Sequence, residues 1–437
     1  MAWIIALDRE QSAILLQGAK RMKASFIPSC AMLALVTGCG QAHIDGIDVR
    51  GQVTYQATGA PFPGAKVKVG DKPIATADGE GRFAVSSVVV PYDLTAVSAD
   101  GTAATVYAGL TRKDPIISVS VPGGSPPTTR SAIVTGHLGG GLALPLPARH
   151  QIVVALVAPK NARAGITATR LGLDGTYSLA LRWQGEANLS GTLRALEWLV
   201  DANGNAVSYD AAVSVPMTVA DAGSSQGVDL NLTTVDNARL AGTFSTAPGY
   251  QLLVHLMYAA YSPSSSLILG TSRSAGISSA AFDYPVFSAP GVGLGIRAIA
   301  QDSHGALVQA WRVGASPETA ISLAVPAAPT LRVPAGTVSA GADFSWTPLD
   351  GAIYHFEANP QTEGAPSLDA LTAATSFQLP DLSAMGFVWP KSASYSAFLF
   401  GVSPRVPDDV AAGEEFPPPD RDGVMAIASS SGFTIAP

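Results

Sequence analysis

The side chains able to carry chemistry in this chain are few and scattered. Six histidines stand at positions 43, 137, 150, 255, 304 and 355. A hydrolytic zinc centre needs converging ligands and an open coordination position. None of these histidines is followed three residues later by a glutamate, so no local His-x-x-Glu pair announces one. Satisfied strand or surface histidines are the expected reading, and no metal or cofactor is assigned. A serine nucleophile on a strand-to-helix elbow needs Gly-x-Ser-x-Gly. Gly270-Thr271-Ser272-Arg273-Ser274 comes nearest and ends on serine where the elbow requires glycine. Asp201-Ala202-Asn203-Gly204-Asn205 opens like a calcium loop, but Ala206 replaces the turn glycine and Ala212 the bidentate glutamate. A plain turn is expected there and at Asp420-Arg421-Asp422-Gly423, while Asp408-Asp409 and Glu414-Glu415 read as solvated acidic loop. Trp183, Trp198 and Trp311 are candidates for stacking on a carbohydrate or peptide. Trp183 shares its face with Tyr177, Leu179 and Leu181, the pattern of a core. No catalytic residue is assigned.

The one position whose surroundings point to a covalent event is Cys39. A secretory signal joins basic residues, an apolar run of about 7–15 residues and small residues at a cleavage site. Lys20, Arg21 and Lys23 supply the first, Phe26 to Val36 the second, and Thr37-Gly38 the third. Val36-Thr37-Gly38-Cys39 resembles the lipobox of bacterial lipoproteins. The resemblance implies cleavage between Gly38 and Cys39, acylation of Cys39, and a place in the cell envelope. A triple-acylated cysteine exceeds the two signals that stable membrane anchoring needs. Gly40, rather than aspartate, follows Cys39; in the Gram-negative lipoproteins this resembles, that permits sorting to the outer membrane. A buried core thiol is the plainer reading, but charge, run length and cleavage site together favour lipidation. Asp8, Arg9 and Glu10 fit a signal poorly, and Met22 makes a better start than Met1.

Composition narrows the function classes. The 437 residues leave room for about three or four domains. Charged residues are 14% of the chain against an average of about 25%, and an apolar content of 47% excludes general disorder. Removing residues 1–38 takes four of 26 basic and two of 33 acidic side chains, leaving 22 against 31 and a net charge of −9. No basic stripe exists to neutralise phosphates, so a nucleic-acid partner is excluded. Cys30 lies in the signal and Cys39 is the acylated residue, so no disulfide or thiolate ligand is expected. Spanning a membrane takes about 20 apolar residues. Leu252 to Tyr261, among the longest apolar stretches after Cys39, is far shorter and contains His255.

The elements that must position any site are strands. Tyr177, Leu179, Leu181 and Trp183 alternate with polar or small neighbours, as do Ala65, Val67 and Val69, and Val228, Leu230 and Leu232. This is the period of half-buried strands. Asp78-Gly79, Asp100-Gly101, Asp174-Gly175 and Asn203-Gly204 punctuate them as turns. A degenerate repeat is visible: Val49-Arg50-Gly51-Gln52-Val53, Val134-Thr135-Gly136-His137-Leu138 and Leu240-Ala241-Gly242-Thr243-Phe244 each open a unit with glycine at the same offset. Proline-rich joints follow at Pro122–Pro127 and Pro326–Pro334.

In the first unit, Gly59-Ala60-Pro61, Pro63-Gly64-Ala65-Lys66-Val67-Lys68-Val69 and Thr76-Ala77-Asp78-Gly79-Glu80-Gly81-Arg82-Phe83 follow the opening strand. This resembles the carboxypeptidase regulatory-like domain, a transthyretin-like sandwich, and the next two units look like diverged relatives. Phe344-Ser345-Trp346, Tyr354 and the strand led by Tyr395 are similar to fibronectin type III domains. The expected fold is therefore all-β, with tandem β-sandwich domains. The expected organisation is a signal at 1–38, a tether at 39–48, sandwiches at 49–125, 126–235 and 236–326, and a fibronectin-like domain at 327–437. The expected function is a non-enzymatic, lipid-anchored envelope protein with a structural, adhesion or ligand-binding role. Its expected partners are the membrane, through the acyl anchor, and a surface protein or carbohydrate. The alternative is an envelope hydrolase, or its carbohydrate- or peptide-binding accessory subunit, with carboxylates brought together only by folding.

Overall fold

The computed structural model describes residues 46–436 apart from 57, 122–127, 141–145, 159–166, 170–173, 185, 203, 263–264, 318–319, 335, 414–420 and 429–430. Gly38, Cys39, the signal, the first proline-rich joint, Asn203 and Glu414-Glu415 lie outside the described residues.

The chain is all-β, built of tandem sandwiches. The first comprises β1 (Ile47–Tyr55), β2 (Lys66–Val69), β3 (Ala75–Thr76), β4 (Arg82–Val88), β5 (Tyr92–Val97), β6 (Ala103–Leu110) and β7 (Ile116–Val119). The second comprises β8 (Thr129–Gly139), β9 (His150–Val157), β10 (Thr167–Thr169), β11 (Thr176–Gln184), β12 (Asn188–Val200) and β13 (Ala206–Ala220). It closes on β14 (Ser224–Ser225), β15 (Leu230–Asn231) and β16 (Thr233–Thr234). The third comprises β17 (Asp236–Thr246), β18 (Tyr250–Ser262), β19 (Ser265–Ile277), β20 (Ser279–Ser288), β21 (Gly293–Asp302), β22 (Leu307–Arg312) and β23 (Ile321–Val325). The last begins with β24 (Leu331–Arg332), β25 (Thr337–Val338), β26 (Asp343–Trp346), β27 (Ile353–Pro360), β28 (Ser367–Thr372) and β29 (Ser376–Gln378). It ends with β30 (Ser394–Ser403), helix α1 (Pro407–Ala411), β31 (Gly423–Ile427) and β32 (Ser431–Ile435).

The first three sandwiches share one strand order. One sheet runs β4-β1-β7, β11-β8-β14 and β20-β17-β23, and the facing strands run β3-β2-β5-β6, β10-β9-β12-β13 and β19-β18-β21-β22. In each, the opening strand pairs antiparallel on one side and parallel with the closing strand on the other.

The repeated glycine follows from that crowding. Gly51 pairs with Phe83, Gly136 with Tyr177 and Gly242 with Phe282. A Cβ at Gly51 would meet the Phe83 ring at 2.3 Å, at Gly136 the Val228 carbonyl at 2.0 Å, and at Gly242 the Ile321 carbonyl at 2.0 Å. Glycine is required where the aromatic of the neighbouring strand crosses the opening strand beside the closing one. The alternation of β11 appears in the fold as written: Tyr177, Leu179, Leu181 and Trp183 are buried and the residues between them exposed.

In the last sandwich β24-β26-β29 faces strands ordered β28-β27-β30, with β31 and β32 beyond β30. This is an immunoglobulin/fibronectin-like arrangement. Trp346 and Tyr354 pack in its core with ring centroids 5.3 Å apart.

The sandwiches are not beads on a string. Antiparallel pairing of β22 with β31 and parallel pairing of β28 with β6 join the third, last and first sandwiches into one 14-stranded sheet. The sheet runs as an open path from β19 to β3. Ile353, Leu371 and Ala411 of the last sandwich enter the core of the first. Asp408, expected in a solvated acidic loop, instead clamps this seam. Its carboxylate accepts hydrogen bonds from the Thr111 N–H at 2.9 Å, the Thr111 hydroxyl and the Arg112 N–H, and its carbonyl accepts from the Arg112 guanidinium at 2.9 Å. The second proline-rich joint is also packed, since the Ala328 N–H donates to the Tyr250 hydroxyl at 2.9 Å. The second sandwich keeps its own two sheets and meets the third where Leu196 and Tyr209 pack with Ala259 and Phe287. No helix among the described residues is long and apolar enough to cross a membrane.

Candidate functional site

Two places in the described residues bring a histidine and two carboxylates together. The first lies on three adjacent strands, β9, β12 and β13. His150 opens β9 opposite Leu199, while Glu197 on β12 stands opposite Ile152. Because side chains alternate with period two, His150 shares a face with Ile152, Val154 and Leu156, and Glu197 with Leu193 and Ala195. That is the core-facing side of the second sandwich. The register of β12 on β13 slips between Glu197↔Ala211 and Trp198↔Tyr209. Asp210 is thus the extra residue of a bulge, the device by which a strand re-aims a side chain. His150 Nδ1 lies 3.2 Å from Glu197 Oε1 and 3.1 Å from Asp210 Oδ2. Glu197 is buried, His150 and Asp210 half-buried.

The second cluster lies at the seam between the last and first sandwiches. His355 and Glu357 share a face of β27, and Asp369 on β28 stands opposite Glu357. His355 Nδ1 is 3.5 Å from Glu357 Oε1, and Nε2 is 3.6 Å from Asp369 Oδ1. Thr105 of β6, in register with Asp369, has a buried hydroxyl without a hydrogen-bond partner among the described residues. Burial pulls the His355 imidazole down, but pairing with Asp369 and the charges of Asp369 and Glu357 outweigh it and hold it above the ordinary histidine range. Glu357 is pushed up, chiefly by burial, with His355 and the Asn359 amide opposing. The two carboxylates address opposite nitrogens of one ring, which suits an imidazolium held between anions.

Two of the remaining histidines have single partners. His137 Nε2 meets the Asp174 carbonyl at 2.6 Å, and His255 Nδ1 meets the Tyr284 hydroxyl at 2.6 Å. His304 sits in the Asp302 turn, and His43 lies outside the described residues. Asp201 accepts from the Asn205 N–H at 2.9 Å and from its amide at 3.1 Å, as a turn does. Trp183 and Trp311 are core residues whose indole N–H groups donate to the Glu186 and Arg421 carbonyls at 2.8 Å. Neither offers a stacking face. Trp198 is half-buried against the contact with the third sandwich.

Searching for a histidine with a glutamate three residues on misses both clusters: His150 meets Glu197 across 47 positions, and His355 meets Glu357 two residues on and Asp369 from the next strand. One signal for the first was present. Leu189, Leu193 and Ala195 put apolar residues on one face of a strand, and Glu197 continues that face with a carboxylate.

No protein-family model matches the chain, and no curated protein matches it. Among solved structures it is similar to a DUF3823 family protein from Parabacteroides merdae, at 13% identity over 39% of this chain and 90% of that one, with a TM-score of 0.15. It is similar to the fimbrial anchor protein of Porphyromonas gingivalis at 12% identity, covering 40% and 83% of the two chains, with a TM-score of 0.17. It is also similar to the major pilin subunit of Bacillus cereus, at 10% identity over 64% and 98%, with a TM-score of 0.14. TM-scores of this size carry no inference about this chain.

Proposed function

We propose that the chain is a non-enzymatic protein of the bacterial cell envelope, tied to a membrane by acylated Cys39, whose sandwiches serve a structural, adhesion or ligand-binding role. The observation that carries this reading is the shared sheet. Three sandwiches, the first separated from the other two by the whole of the second, are hydrogen-bonded edge to edge through β22–β31 and β28–β6. Backbone ladders across such edges fix orientation in a way that flexible linkers do not, and they suit a body that bears load or presents a surface. The lipobox-like Val36-Thr37-Gly38-Cys39 ends seven residues before β1 begins at Ile47. Seven residues span at most about 25 Å, so acylation would hold the first sandwich close to the membrane. The ligand class in this reading is a surface protein or a carbohydrate, and the membrane is the outer membrane of a Gram-negative cell.

The test is fractionation of the native protein beside Cys39→Ala, with the intact mass of the mature N-terminus. Membrane partition that is lost in the variant, with an acylated Cys39, supports the reading. A soluble, unprocessed chain beginning at Met1 refutes the anchor.

A further inference from the structure

The geometry points to a divalent-cation site where β9 begins in the second sandwich, with His150 Nδ1, Glu197 Oε1 and Asp210 Oδ2 as its protein ligands. Proton counting comes first. One imidazole nitrogen carries at most one hydrogen, yet two carboxylate oxygens face it at 3.1 and 3.2 Å. Asp210 Oδ2 is itself buried and has no hydrogen-bond partner among the described residues. Among the described residues neither carboxylate has a lysine or arginine ion pair there; His150 Nδ1 is the one nitrogen that both face. Two carboxylates against one imidazole leave negative charge in excess, and Glu197 is only 8% exposed. Uncompensated buried charge is costly. A cation at this point removes the deficit.

The distances agree. A charge-assisted N–H···O bond settles at about 2.7–2.9 Å, shorter than both separations. A tetrahedral ion with bonds of about 2.0–2.2 Å holds neighbouring ligand atoms roughly 3.3–3.5 Å apart, which the observed pair reaches by small rotamer adjustments. The scaffold is rigid: three hydrogen-bonded strands supply one ligand each, and the bulge turns Asp210 onto the face of the other two. One imidazole with two carboxylates suits zinc and related borderline ions. Three protein ligands leave a fourth position, reachable past the half-exposed His150 and Asp210, for water or a carboxylate of a bound partner. The His355 cluster lacks this convergence, since its carboxylates face different nitrogens.

The test uses the full chain, purified in detergent, stripped with chelator and titrated with zinc chloride by calorimetry and equilibrium dialysis. The expected result is one saturable Zn²⁺ per chain. Asp210→Asn and His150→Gln should each weaken it more than about a hundredfold, beyond the roughly 10–100-fold that loss of a supporting outer-shell group costs, while His355→Gln leaves it unchanged. Zn²⁺ should also protect His150, and not His137, of the unmodified protein from diethyl pyrocarbonate, read by mass spectrometry. That measurement stands even if a variant fails to fold. Absence of saturable binding, binding indifferent to both variants, or loss only in His355→Gln overturns the site. Membrane partition plays no part in any of these outcomes, so this site and the anchor fail or stand separately.

Discussion

His255 lies among Phe244, Phe282 and Tyr284, with the Phe244 ring 4.8 Å from its own and the Tyr284 hydroxyl on Nδ1. Burial holds its pKa below the ordinary value. The sign follows. The unfolded chain takes up a proton near pH 6.5 and the folded chain resists, so native stability falls as pH drops below that point. The stability advantage of the native protein over His255→Gln should therefore shrink between pH 7.5 and 5, measured by urea unfolding at each pH. An advantage that grows on acidification would contradict a neutral, buried His255. His355 runs the other way. Its raised pKa makes its contribution complete below about pH 6.5 and lost as pH rises through the folded value. The native advantage over His355→Gln should shrink from pH 6 towards 9. Neither direction was legible in the sequence, where both residues are isolated histidines inside apolar strands. Burial, Tyr284 and Asp369 come from neighbouring strands, and Glu357 alone lies on the strand of the histidine it faces.

At the scale of elements, the three opening strands explain why a degenerate repeat retains its glycine. Alanine at Gly242 would place a Cβ 2.0 Å from the Ile321 carbonyl and 2.7 Å from the Phe282 ring. Its intrinsic advantage over glycine in a strand, about 0.5–1 kcal/mol, is overcome by backbone displacement. We expect Gly242→Ala and Gly136→Ala to destabilise by about 1–3 kcal/mol in chemical denaturation. Gly79→Ala, with open space around its Cβ, should be close to neutral. Alternation, turn pairs and the glycine offset announced these strands directly, because each reports on backbone and burial within one element. Where the sequence reading failed was Asp408. An acidic pair in a short loop reads as solvated, and only the arrival of Thr111 and Arg112, about 300 positions earlier, makes it a clamp. Asp408→Ala should remove its side-chain bonds to Thr111 and Arg112 at a cost of about 0.5–1.5 kcal/mol, seen as faster hydrogen exchange in β6 and α1.

The whole molecule divides by its hydrogen bonds. The first, third and last sandwiches share a sheet, whereas the second meets the third, without a shared ladder among the described residues, through a small cluster around Tyr209 and Phe287 and the hydrogen bonds of Tyr209 with Asn237 and Leu269. Calorimetry should then show two transitions, departing from two-state behaviour as multidomain chains do. Gly242→Ala and Asp408→Ala should lower one of them, and Gly136→Ala the other. A single transition moved by all three variants would show that the second sandwich is coupled as tightly as the rest. The division between sequence and tertiary structure follows the range of the interactions. All-β character, sandwich patterning, the glycine at each opening strand and the lipobox-like Cys39 are local, set by period, turn chemistry and residues adjacent in the chain. The joining of β28 to β6 and of β22 to β31, and the meeting of His150, Glu197 and Asp210, are not. Strand edges carry the same N–H and C=O groups whatever the side chains. Which edge meets which, and which three side chains then face one point, was decided only when the sandwiches packed.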